Sequence, residues 1–358
     1  MYELFVIIQT KAKPNELLPS MVKTSLRTLL ARVGLDWFIL ALLAMIGLAK
    51  LWPEPGIQKG LFTLSSLATY GVSLIFFFYG LKLNLGQLRE GLRNYRLHLV
   101  IHLTTFVVFP AVVLAARSLF LTPDTELLWL GIFYVAALPS TVSSSVVMVS
   151  IAGGNIPAAI FNASISSLIG VFITPLWMSF LLSSTNGAND LSGVIGKLTI
   201  QVIVPVVLGL LLNQRLGWLA ARQKASLRYF DQIIILLIVY TAFCESFARH
   251  AFEQISVGDL LWLAALMLGL FFLMFGLITL ISRLLNFNRE DRITALFCGS
   301  KKSLVQGSVM ANVLFPGNVA GVALLPIMMY HALQLIVASI IAQAMAQRQR
   351  EKSAVIRE

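Results

Sequence analysis

Two adjacent lysines, Lys301 and Lys302, sit inside an apolar run of membrane length, 291–315. A lysine at mid-bilayer costs about 2.5–3.5 kcal/mol on insertion scales, so a pair persists only where both face protein or a polar cavity. Gly299, Ser300, Ser303, Gln306, Gly307 and Ser308 flank them, residues that loosen a helix or supply polar groups. The stretch reads as a membrane helix with a polar break. The opposing reading, in which both lysines snorkel to an interface from a helix end, is countered by Phe297 and Cys298 before them and Leu304 and Val305 after. A second break carries Pro139, Ser140, Thr141, Ser143, Ser144 and Ser145 around a single Val142. Free backbone donors and half-helix N-termini there favour negative charge. The same hydroxyls also suit ordinary packing between membrane helices, and both readings stand. Set against Lys301 and Lys302, the run points to an anion site.

The elements that must position these groups follow from composition. The 358 residues are 58% hydrophobic and only 12% charged. Soluble chains carry about a quarter charged residues, so this is an all-α polytopic membrane protein. The net charge of +11 raises the idea of nucleic acid, but the basic residues are dispersed among short loops. The positive-inside rule accounts for them. Runs long enough to span as helix predict ten spans: 35–52, 60–83, 97–121, 127–152 (broken), 155–183, 191–213, 227–248, 259–282, 291–315 (broken) and 317–346. Prolines inside them, Pro110 among others, need neighbours that re-satisfy the freed carbonyls. Lys and Arg cluster before span 1 and in every second connection, including Arg93, Lys224 and Arg289, whereas Asp124, Asp190 and Glu253 mark the others. Both termini are therefore expected in the cytoplasm, with 1–34 a cytoplasmic lead and 347–358 a tail. Cys244 and Cys298 form no metal-ligand or disulfide pattern, and no cofactor motif occurs.

A shift of 163 residues lays Ser145-Val-Val-Met148 on Ser308-Val-Met-Ala311, and Gly154-Asn155 on Gly317-Asn318. Each half then has five spans, a broken fourth and a Gly-Asn turn into a long fifth. An odd number forces the halves into opposite orientations. That is the plan of secondary transporters whose broken helices, here 4 and 9, cross at mid-membrane to build the binding site.

At these residues the chain resembles the bile acid:sodium symporter superfamily, in particular the bile-acid-transporter-like branch that includes the seventh animal paralogue of solute carrier family 10. The likeness rests on Leu-Pro-Ser-Thr-Val-Ser-Ser-Ser at 138–145, Gly-Asn at 154–155, Cys-Gly-Ser-Lys-Lys-Ser at 298–303 and Met-Tyr-His at 329–331. It implies a panel domain of spans 1, 2, 6 and 7, a core domain of spans 3–5 and 8–10, and alternating access. His331 matches the family's histidine. The family's glutamate in the second broken helix falls on Phe297, and its glutamine-asparagine pair on Lys301 and Lys302. Ser145 keeps the family's serine, its asparagine neighbour becomes Val146, and the span 5 hydroxyls fall on Ala159 and Ala163 beside Asn162 and Ser164. An ammonium can take the electrostatic place of bound sodium. The expectation is thus a secondary-active carrier of an organic anion or related amphiphile in the bacterial inner membrane, without strict sodium dependence. One of the lysines is a candidate for proton coupling. A sodium-coupled bile-acid-type symporter and a non-transporting regulator of calcium homeostasis are the alternatives. No nucleophile–base arrangement supports an enzyme.

Overall fold

The computed structural model describes residues 37–58, 60, 62–82, 94–117, 126–186, 196, 199–253, 255–315 and 317–355. The lead expected over 1–34 lies outside the described residues, as do Arg93, Asp124 and Asp190. Thirteen helices are numbered here in chain order: α1 (Trp37–Leu51), α2 (Glu54–Ile57), α3 (Leu64–Leu81), α4 (Tyr95–Ala115), α5 (Glu126–Ala137), α6 (Ser143–Ala152), α7 (Ile156–Asn186), α8 (Thr199–Arg222), α9 (Lys224–Ala248), α10 (Val257–Leu284), α11 (Arg289–Gly299), α12 (Leu304–Leu314) and α13 (Gly317–Val355). Among the described residues there is no strand. Seven of the helices are long and apolar enough to cross a membrane: α3, α4, α7, α8, α9, α10 and α13.

Small polar residues start these helices, as side-chain capping of the free N-terminal donors requires. Thr63 accepts from Ser66 N before α3, and Ser256 and Asp259 make a reciprocal capping box before α10. Asn155 Oδ1 accepts from Ala158 N at the head of α7, Asn288 Oδ1 accepts from Asp291 N at α11, and Ser303 Oγ accepts from Gln306 N at α12. Gly153 ends α6 at φ 72, with Gly154 N reaching Val149 O and Gly153 N reaching Ser150 O. That left-handed turn is nearly free for glycine and strained for other residues.

Side-chain size sets which helices touch closely. Gly80 of α3 faces the Val206 carbonyl and Gly209 of α8 faces the Phe77 carbonyl, so a Cβ at either place would meet backbone. Asn213 Nδ2 locks the same pair by donating to Leu81 O at 2.7 Å. α9 packs on α1, α3 and α13 and is buried over most of its length. α13 packs on α5, α6, α10 and α12. Lys82 of α3 pairs with Asp231 of α9 at 3.4 Å, and neither residue stood out in the sequence as a functional candidate. Glu245 pairs with Arg249, the residue just past the end of α9, at 3.0 Å.

Candidate substrate and coupling site

The first break lies between α5 and α6, at 138–142, and the second between α11 and α12, at 300–303. They meet directly: Ser303 N donates to Pro139 O at 2.9 Å, and Ser145 Oγ donates to Phe297 O at 3.0 Å. The last carbonyls of a helix have no helical partner; at the end of α5 Val135 O accepts from Leu138 N at 3.2 Å, and the carbonyls of 136–139 are taken by other elements. Ala136 O and Leu138 O accept from Lys302 Nζ at 2.7 and 2.9 Å, Ala137 O from Thr174 Oγ1 at 2.7 Å, and Pro139 O from Ser303 N. Ser140 N, the donor that would have continued the helix, turns to Ser166 Oγ at 2.9 Å.

A third carbonyl reaches Lys302 from α4. That helix contains a π-turn at Thr104–Val108, in which Phe109 N bonds Thr104 O. The next donor in that register would be Pro110, which has no N–H. Thr105 O is freed and accepts from Lys302 Nζ at 2.9 Å, while Phe106 O accepts from Trp177 Nε1 at 2.8 Å. An ammonium has three N–H donors, and Lys302 satisfies all three on backbone oxygen. The Phe109 ring lies 4.1 Å from Nζ, adding a cation–π contact.

The break that carries the lysines is held by α13. Gln334 acts as a peptide stand-in: its Oε1 accepts from Lys302 N and its Nε2 donates to Lys302 O, both at 2.8 Å. Tyr330 Oη donates to Ser300 O at 2.6 Å. His331 Nδ1 lies 3.0 Å from Gln334 Nε2, a part-buried neighbour of this clamp. Tyr134 Oη donates to Gly307 O, tying α5 to α12.

Lys301 differs sharply from its neighbour. It is equally buried, at 0% exposure, but its Nζ has no hydrogen-bond partner among the described residues. Ser140 Oγ, Gln306 Oε1, Ser308 Oγ and Thr105 Oγ1 are also buried and unpartnered. Native cores leave few such atoms; these five lie at or beside the two breaks and the turn that feeds Lys302, and the others among the described residues are on His102, Arg117, Trp129, Asp231 and Ser282.

The other expected residues divide. Thr141, Ser144 and Ser145 form one hydroxyl chain, with Thr141 Oγ1 2.7 Å from Ser145 Oγ and accepting from Ser144 Oγ at 2.9 Å. Ser143 is exposed on the far side of α6. Ser164 is also exposed, bonded to Ile160 O of its own helix at 2.9 Å. Asn162 is committed to structure, with His98 Nδ1 3.0 Å from its Oδ1 and its Nδ2 donating to Ala158 O. Asn155 does not join the crossing. Its Nδ2 donates to Asp291 Oδ1 at 2.9 Å and its N to Thr294 Oγ1 at 2.9 Å. Asp291 is six residues before Phe297, about 9 Å along α11 at 1.5 Å per residue. The side chain of Asn318 lies outside what is described.

Sequence reasoning missed Gln334, Tyr330 as a clamp, and Asp291, which also accepts from Asn94 and Asn288 at 2.8 and 3.1 Å. Gln334 had a signal, being an amide three residues after His331 in an apolar run. His98 had none.

Comparison with known proteins identifies the family. Residues 36–347 match the SBF-like CPA transporter family. An uncharacterized protein of Pseudomonas aeruginosa is 40% identical over 323 residues, covering 90% of this chain and 96% of that one. The Escherichia coli K12 protein YfeH, named only provisionally as a symporter, is 38% identical over 310 residues, covering 86% and 92%. Sodium/bile acid cotransporter 7-A of Xenopus laevis is 32% identical over 321 residues, covering 87% and 92%. The resemblance read from 138–145 and 298–303 thus holds along most of the length: the chain belongs to the SBF-like CPA transporter family, of the bile acid:sodium symporter type, and is a multi-pass membrane transporter rather than an enzyme.

Proposed function

We propose that the protein is a secondary-active carrier of an organic anion or related amphiphile, bound where the two breaks cross. The observation that carries this reading is the fully buried Lys301 amine, without a hydrogen-bond partner among the described residues, in the same breaks as the unpartnered Ser140, Gln306 and Ser308. A carboxylate or similar group would supply the missing acceptor, and the hydroxyls of Ser140 and Ser308 would supply donors. The seven long helices, together with α1 and the broken pairs α5–α6 and α11–α12, add to ten spans. The half-helices α6 and α12 have similar lengths, 10 and 11 residues, and each leads into a long helix at the aligned Gly-Asn pairs. These features support two inverted five-span repeats, with α1, α3, α8 and α9 as panel and the remaining spans as core. Both termini then face the cytoplasm of a bacterial inner membrane.

Transport does not depend on a sodium gradient in this reading. Phe297 offers no carboxylate, and the Lys302 ammonium already holds the carbonyls beside the second break. Another cation about 4 Å from it would meet repulsion of order 4 kcal/mol at an effective dielectric of 20. The names of the Xenopus relatives favour a second reading, a sodium-coupled symporter of bile-acid-like anions. Uptake of a panel of labelled organic anions into proteoliposomes, with sodium replaced by choline, separates the two. Saturable uptake that survives the replacement is expected. An absolute sodium requirement supports the second reading, and absence of saturable uptake across the panel counts against a carrier of anions.

A further inference from the structure

The oxygens around Lys302 Nζ belong to three residues, Thr105 on α4, Ala136 on α5 and Leu138 in the first break, all are backbone carbonyls, and each is free for a local reason. Thr105 O is released by Pro110 in the π-turn, and Ala136 O and Leu138 O by the end of α5. Carbonyl oxygens converging on one point without a carboxylate are the chemistry of a monovalent-cation site. We propose that this cradle is such a site, filled by the chain's own Lys302, and that it binds a free potassium or alkylammonium ion when the lysine is removed. The N···O distances of 2.7–2.9 Å suit an ammonium- or potassium-sized ion better than the smaller sodium. The Phe109 face at 4.1 Å adds to the preference for a soft organic cation.

The inference deepens the sodium-independent reading above by giving the two lysines different tasks. Lys302 is a fixed internal cation that joins α4, α5 and the second break into one body. Lys301, which touches no carbonyl, is left to meet the substrate. A cation held by its own side chain cannot exchange with solution during a transport cycle, so its charge travels with the core.

The test needs no substrate, so its result is independent of whether anion transport is found. Lys302→Ala deletes Cγ, Cδ, Cε and Nζ, the shape of n-propylammonium. Thermal unfolding of the purified variant is followed in detergent with increasing n-propylammonium, potassium or sodium chloride, choline chloride holding ionic strength constant. A saturable rise of several degrees with n-propylammonium, a smaller one with potassium and least with sodium is expected, by mass action on the folded state. Wild type should not respond, n-propanol should not substitute, and Lys302→Met, whose side chain fills the space, should not respond either. Equal curves for wild type and Lys302→Ala overturn the proposal. If Lys302→Ala is recovered folded only when n-propylammonium is present throughout purification, the proposal stands; if it is recovered under neither condition, the proposal falls.

Discussion

Methionine placed at either lysine separates the two roles through the sign of the stability change. At Lys302 it leaves Thr105 O, Ala136 O and Leu138 O buried without donors. Each orphaned acceptor costs about 1–3 kcal/mol, so even the low end gives about 3 kcal/mol, and loss of the Phe109 contact adds to it. That lowers the folded-to-unfolded ratio by roughly 100-fold or more, since about 1.4 kcal/mol is a factor of ten. At Lys301 the same substitution removes a buried amine that has no partner. An apolar group of similar volume relieves its desolvation, a gain of about 1 kcal/mol or more. Intrinsic tryptophan fluorescence of the purified proteins, followed through heating and through denaturant, measures both. Lys302→Met should melt well below wild type and Lys301→Met at or above it, while Lys301→Met abolishes anion uptake. Equal losses at the two positions would refute the assignment of one lysine to the fold and the other to the ligand.

Gln334→Leu strips both hydrogen bonds from the Lys302 backbone and should cost about 2–4 kcal/mol. Gln343→Leu, which loses only a bond to Ser339 on its own helix, serves as the lesser control in the same melts. Asp291→Ala frees the amides of Asn94, Asn155 and Asn288 at once. It should speed hydrogen exchange at the α6–α7 turn and the start of α11 before exchange at the crossing changes. Gly153→Ala forces a side chain onto φ 72 and should destabilise by about 1–2 kcal/mol, whereas Gly47→Ala, where nothing lies within 4 Å of the new Cβ, should not destabilise.

Hydropathy along the chain was enough to determine an all-helical membrane protein with discontinuous helices near 139–145 and 299–303, because desolvation of backbone and charge acts locally and leaves its mark in composition. The caps, Thr63, Asn155, Ser256, Asn288 and Ser303, came from the structure, although their residue types are those a first turn needs. Only tertiary structure decided what the two lysines contact. Their local sequence contexts are nearly the same, and the difference lies in carbonyls 164 to 197 residues away, freed by Pro110 and by the end of α5. The same holds for Asn155 and Asn162, polar residues in the right stretch whose partners, Asp291 and His98, come from other helices and take them out of the crossing. A one-dimensional pattern records that a polar group is buried; which acceptor meets it depends on how helices distant in sequence are brought side by side.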